Sequence, residues 1–215
     1  MEIAILVYPG FTALDAIGPY EVLCRLPGAT TTFVATAAGP VATDTGCLTV
    51  VASRGLDEVS RPDVVVVPGG PGEVAVRAGA AALEWLRTVH ATTKWTASVC
   101  TGSLILAAAG LLDGLRATTH WLAADQLRAL GAEPVDARVV VEEEHRLMTA
   151  AGVSAGIDMG LTLAARIAGD PVAQAIQLVL EYDPQPPFDA GSPAKAPAEV
   201  VDLLRSRSRF LTGRA

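Results

Sequence analysis

A cysteine stands where a strand-like run meets a helix-like one. In Lys94-Trp95-Thr96-Ala97-Ser98-Val99-Cys100, β-branched and apolar residues stop at the thiol, Thr101-Gly102-Ser103 makes a turn, and an alanine- and leucine-rich run begins at Leu104. A side chain on a sharp strand-to-helix turn is held out of the packed sheet, toward whatever binds there. The helix that follows adds free N–H groups and the positive end of its dipole. An ordinary thiol is only roughly 3% ionised at pH 7, and lowering its pKa by about 1.5 units makes it roughly half thiolate. Cys100 is therefore the candidate nucleophile, expected to have a lowered pKa and to alkylate ahead of Cys24 and Cys47, which read as packing residues.

Other residues with chemical potential are fewer. Asp15, in Leu14-Asp15-Ala16-Ile17-Gly18-Pro19, suits either a proton donor or an aspartate in the first turn of a helix, and its surroundings leave both open. His120, just before Trp121, could serve as a second base or a neighbour of the thiol, but a lone histidine there is more often a hydrogen-bonded core residue. His90 and His145 read as surface residues, and Glu142-Glu143-Glu144 as a solvated turn rather than a metal site. Pro68-Gly69-Gly70-Pro71-Gly72 lacks the lysine and spacing of a phosphate-binding loop. It reads as a tight turn that brings backbone N–H groups to a site.

The elements that must position these groups alternate. Strands are expected at Glu2–Val7, Thr30–Thr36, Leu48–Val51, Asp63–Val67 and Lys94–Val99, with a strand pair at Arg138–Glu142 and Leu147–Thr149. Helices are expected at Ala13–Leu26 (with a new start or kink at Gly18-Pro19), Ala80–His90, Ser103–Ala109, Trp121–Leu130, Val153–Ala168, Val172–Glu181 and about Ala198–Arg209. Continuous apolar strands between helices indicate an α/β fold, three-layered and doubly wound, whose mostly parallel sheet is covered on both faces. Tyr8-Pro9-Gly10, Pro68-Gly69-Gly70 and Cys100-Thr101-Gly102 all fall at strand ends, where open α/β sheets bind ligands. One domain over residues 1–215 is expected, the proline-rich stretch from 184 wrapping it rather than opening a second domain.

Composition narrows the partners. The 215 residues carry a formal charge of −7 and are 51% hydrophobic, so a large core is available and a basic nucleic-acid face is not expected. No apolar run approaches the roughly 20 residues of a spanning helix, and residues 1–7 lack a signal-peptide pattern. A soluble cytoplasmic protein is expected. Three cysteines without metal-like spacing argue against a disulfide framework or a zinc site.

Taken together, Ser98-Val99-Cys100-Thr101-Gly102-Ser103-Leu104, the 68–72 turn and Arg116-Ala117-Thr118-Thr119-His120-Trp121 resemble the ThiJ/PfpI superfamily. Ala155-Gly156-Ile157-Asp158, Leu180-Glu181-Tyr182 and Pro186-Pro187-Phe188-Asp189-Ala190-Gly191-Ser192-Pro193 extend the likeness to its isonitrile hydratases over nearly the whole chain. The resemblance implies the flavodoxin-like fold of class I glutamine amidotransferases, a homodimer, a small-molecule isonitrile substrate, and no cofactor or metal. It implies that Cys100 is the nucleophile, Asp15 its acidic partner and Thr101 a residue whose hydroxyl serves the site. It also puts the Gly70 and Thr101 amides in the place of oxyanion donors and Val153 beside the substrate. Ile17, Ala151, Val153 and Asp189 depart from the pattern and bear on pocket shape. A peptidase- or glyoxalase-like enzyme, or a ligand or redox sensor of the same fold, is the competing expectation. Thr101 where such enzymes place histidine counts against the first, and the chain end at Ala215 leaves no room for a DNA-binding region of a sensor.

Overall fold

A computed structural model describes residues 1–208. Its strands are β1 (Glu2–Leu6), β2 (Thr30–Ala35), β3 (Gly39–Ala42), β4 (Thr49–Ala52), β5 (Arg54–Gly55), β6 (Val64–Val67), β7 (Trp95–Val99), β8 (Arg116–Ala117), β9 (Glu133–Pro134), β10 (Val139–Glu142) and β11 (Leu147–Ala150). Its α-helices are α1 (Ala13–Leu23), α2 (Glu73–Ala78), α3 (Ala81–His90), α4 (Gly102–Ala108), α5 (Ala124–Ala129), α6 (Ala155–Ala168), α7 (Asp170–Val179) and α8 (Ala198–Arg207). A seven-stranded sheet runs in the order β10-β11-β7-β6-β1-β2-β5, parallel throughout except for β10 at one edge. The α/β architecture is the expected one. Helices α1, α6 and α7 pack as one group and α2, α3, α4 and α5 as another, covering the two faces.

The central strands explain the layering. Every residue of Val64–Val67 is buried, as are Ile3–Leu6 and Thr96–Val99, which is what a strand covered on both faces requires. The chain leaves β1 toward β2 on one side and later returns to place β6 on its other side. The switch point therefore lies between β1 and β6, and the loops after β1, β6 and β7 meet above it.

Several boundaries differ from expectation for local reasons. Gly18-Pro19 neither breaks nor restarts α1. A residue before proline usually clashes in a helix through its Cβ, and Gly18 has none. The same absence lets α6 approach, since a Cβ on Gly18 would lie 3.1 Å from Ile157 Cγ1. Trp121–Ala123 is a 3₁₀ turn ahead of α5, and α6 begins at Ala155 rather than Val153. Helix α2 and strands β3, β5, β8 and β9 were not expected; elements this short carry too few residues to show a period. Of the last expected helix, Arg209 lies outside the described residues.

Glycines bring the site loops within backbone contact. A Cβ on Gly102 would sit 2.1 Å from the Val67 carbonyl oxygen, and one on Gly72 1.9 Å from that of Pro9. Nothing lies within 4 Å of the corresponding point on Gly191. Gly102→Ala should therefore destabilise the protein by about 3 kcal/mol, at the upper end of ordinary overpacking costs. Gly191→Ala should stay within about 0.5 kcal/mol. Urea denaturation of both variants checks the contrast, and equal midpoints would refute the close approach.

Candidate active site

Cys100 occupies the turn between β7 and α4 with φ of 57°. A left-handed conformation strains a residue with a Cβ by of order 1–3 kcal/mol and persists only when its surroundings dictate it. Here they do. The Cys100 N–H donates to the carbonyls of Ala150 and Ala151 at 3.1 and 3.0 Å. Its own carbonyl accepts from Ser103 Oγ and Thr119 Oγ1, both at 3.1 Å. The thiol is 6% exposed.

Asp15 lies in the first turn of α1 yet is fully buried. It does not cap that helix. Its Oδ2 accepts from the Gly69 N–H at 3.0 Å, and Oδ1 has no hydrogen-bond partner of regular geometry. The carboxyl interacts with the Cys100 thiol, while the N–H groups of Thr101 and Val153 donate to the sulfur. Val153 itself is held at a positive φ of 38°. The structure thus brings Cys100, Asp15, Thr101 and Val153 together. Sequence reasoning missed Gly69, and expected Val153 to act by its side chain alone; a backbone donor leaves no mark on residue type.

The 68–72 turn delivers amides to the site, but not all of them to a ligand. The Gly70 N–H, expected as an oxyanion donor, instead donates to Thr101 Oγ1 at 3.0 Å. Gly70 is held at φ +128°, and a Cβ there would meet Thr12 N at 2.5 Å. Gly69 is as constrained, since its Cβ would fall 2.5 Å from Thr101 N. Tyr8 adds a cross-link from β1 by donating its hydroxyl to the Pro68 carbonyl at 2.8 Å.

Burial dominates the electrostatics. It raises Asp15 to about 7, an effect opposed by the Gly69 amide and the Cys100 thiol and assisted by the nearby Asp44 charge. Burial and the Asp15 charge raise Cys100 to about 12 against the Thr101 and Val153 amides. The expected lowering of the thiol pKa is therefore wrong: α4 offers its N-terminus, but desolvation and a neighbouring carboxylate outweigh it.

His120 is engaged locally. Its Nδ1 accepts from the Leu122 N–H at 3.3 Å, and its ring stacks on Trp121 at 6.0 Å. Its side chain packs against the Gly152 backbone, where a Cβ would lie 2.8 Å from His120 Cδ2. It lines a cavity of about 660 Å³ that Thr119, Ala151 and Val153 also line. Ile17 lies instead on a smaller apolar cleft of about 210 Å³ between α1 and α6. His90, expected at the surface, is half-buried and bonded to Thr96 Oγ1 at 3.0 Å. Cys47 is exposed rather than packed, and Cys24 is intermediate. Among the described residues, no three His, Cys, Asp or Glu side chains converge to hold a metal ion, and no helix is long and apolar enough to cross a membrane.

Comparison with known proteins places this geometry. The profile of the DJ-1/PfpI family matches residues 1–166. An isonitrile hydratase of Pseudomonas putida is 44% identical over 208 residues, covering 97% of this chain and 90% of that protein. The crystal structure of a ThiJ/PfpI family protein from Pseudomonas syringae superposes with a TM-score of 0.91 at 40% identity, covering 99% of this chain and 89% of the other. An HTH-type transcriptional regulator of Pseudomonas aeruginosa, CdhR, is 31% identical over 173 residues, 78% of this chain and 51% of its own.

The buried carboxyl carries a stability signature. Its folded pKa of about 7 exceeds the ordinary 3.8, so the neutral form is favoured by folding. The benefit is complete below pH 3.8 and is lost as pH rises through 7. Asp15→Asn, which cannot ionise, should be more stable than the parent by up to about 4 kcal/mol at pH 8, with the difference shrinking to little at pH 4. Denaturant titrations at the two pH values test this; a variant no more stable at pH 8 would contradict the burial argument.

Proposed function

The chain belongs to the DJ-1/PfpI family, and within it we propose that this protein hydrates isonitriles, R–N≡C, to N-substituted formamides. The near full-length identity to the Pseudomonas putida hydratase supports the reaction. The observation that carries the mechanism is a buried thiol and a buried carboxyl facing each other, with two amides on the sulfur and one on the acid. The enzyme is a hydro-lyase with Cys100 as nucleophile, Asp15 as proton donor and Thr101 as support.

An isonitrile must gain a nucleophile and a proton at one carbon, so a thiolate beside a neutral acid suffices and no cofactor or metal is needed. The first proton lost near pH 7 leaves one proton for the two groups. The values of about 7 and about 12 rest that proton on sulfur, and the reacting form is the less populated tautomer with the proton on Asp15 Oδ1 and the charge on sulfur, which the Thr101 and Val153 amides favour. Sulfur then bonds to the terminal carbon while Asp15 gives that carbon its proton, forming a thioimidate, R–N=CH–S. Water adds to the same carbon, one of its protons ending on nitrogen and the other on Asp15. The C–S bond breaks, releasing R–NH–CHO and restoring the thiolate.

The rest of the proposal follows the resemblance and the surface. Residues 1–215 form one catalytic domain, its segment from 184 wrapping back: α8 buries Val201 and sets Arg205 5.8 Å over the Trp121 ring. The protein works as a homodimer, in keeping with exposed Leu178 and Val179 on α7. It acts in the cytoplasm without nucleic acid, as three unbridged cysteines and a charge of −7 suggest.

Formamide formation from aryl and alkyl isonitriles tests the reading. Cys100→Ala should abolish turnover, whereas Cys24→Ala and Cys47→Ala should leave it nearly unchanged; substantial activity in Cys100→Ala would exclude covalent catalysis. Asp15→Asn should lower kcat by about 10²–10⁴-fold. In the parent, kcat/KM should rise with pH through about 7, and the remaining activity of Asp15→Asn should lack that limb. Isonitrile binding without any turnover would favour a sensor instead.

A further inference from the structure

We infer that the cavity of about 660 Å³ lined by Val153, Ala151 and Thr119, which contact Cys100, holds the R group of the isonitrile, and that its C-terminal wall selects a bulky aryl group. The inference rests on the hydratase reading and adds a substrate class to it. The cavity and the thiol share residues. Val153 lines the cavity and donates its N–H to the sulfur, Ala151 lines it and accepts the Cys100 N–H, and Thr119 lines it and bonds the Cys100 carbonyl. Cys100 itself is not a lining residue, and these three residues are the link between the cavity and the thiol.

Size and rings then specify the R group. The volume falls in the range of pockets that enclose organic ligands of roughly 300–1,000 Å³, and a methyl group would leave nearly all of it unfilled. The stacked rings of His120 and Trp121 make one wall, a surface against which another ring packs favourably. Three arginines reach the lining, and two of them are paired with carboxylates that lie outside it. Arg128 pairs with Asp125 at 2.7 Å, Arg138 pairs with Asp158, and Arg205 lies over the Trp121 ring in a wall that also contains Asp136.

The wall opposite the family core comes from later in the chain. Gly191, Ser192, Pro193 and Arg205 line the cavity, whereas the family match ends at residue 166. The core thus supplies thiol and acid, and the C-terminal segment supplies the part of the pocket that distinguishes one R group from another. Ser192, partly exposed on that segment, is a specificity-determining position remote from the chemistry.

The test compares 2-naphthyl isonitrile with methyl isonitrile in the parent protein, Trp121→Ala and Ser192→Trp. The parent should prefer the naphthyl substrate. Ser192→Trp, which fills the space from an exposed segment, should lower kcat/KM for it by about 10-fold or more and for methyl isonitrile by less than about 2-fold, a difference of the size that pocket contacts provide. Trp121→Ala should show the same selectivity. Binding of the product N-(2-naphthyl)formamide, followed by calorimetry, should weaken in parallel in Ser192→Trp. Equal loss for both substrates, or product affinity unchanged by Ser192→Trp, would overturn the cavity assignment while leaving the hydratase reading intact. Turnover of neither isonitrile by the parent protein would instead remove the hydratase reading, and this inference with it.

Discussion

Two titratable groups buried against each other govern this structure. Water would solvate the ionised forms of the Cys100 thiol and the Asp15 carboxyl, and burial removes most of that solvation. Both are held neutral more strongly than in water, so neither ionises without consequence for the other. What remains to stabilise charge is a set of backbone amides: Gly69 for the carboxyl, Thr101 and Val153 for the sulfur. Preorganised dipoles of this kind act strongly in a site with little water.

The fold is arranged to hold those amides still. Glycines at 69, 70, 72 and 102 let the loops after β1, β6 and β7 come within distances that no side chain would permit. Strain at Cys100 and Val153 is balanced by hydrogen bonds to the elbow and by the packing of α6 behind it. Thr101 links the two loops, since its hydroxyl accepts the Gly70 amide while its own amide serves the sulfur. The result trades stability for reactivity. A fully buried carboxyl with an unpartnered oxygen is unfavourable for folding, and in the proposed mechanism it is also the proton donor beside the nucleophile.

The division of labour along the chain has a physical basis as well. Residues before 166 form the sheet, its helices and the elbow, where small displacements would disturb proton sharing. The described part of the segment after α7 lies on the outside, mostly exposed, and contributes Gly191, Ser192, Pro193 and Arg205 to the cavity wall. On the pocket assignment inferred above, changes there would alter shape without moving the thiol. Specificity can therefore vary on a surface whose cost of change is low.

Much of the fold was legible from residue patterns. The Val64–Val67 run, the apolar 3–6 segment and the helical runs following each strand dictate a covered parallel sheet, because continuous apolar strands have no other stable placement. Cys100 at a strand-to-helix junction also declared itself, since the glycine two residues on marks the turn. Whether Asp15 capped a helix or faced the thiol, whether Gly70 offered its amide to a ligand or to Thr101, and whether the thiol pKa fell or rose were decided only by tertiary structure. The reason is common to all three. Residue type and spacing determine which groups exist and which face of an element they occupy, but desolvation and backbone hydrogen bonds depend on which distant segments close over them, and the competition between those two effects sets the chemistry.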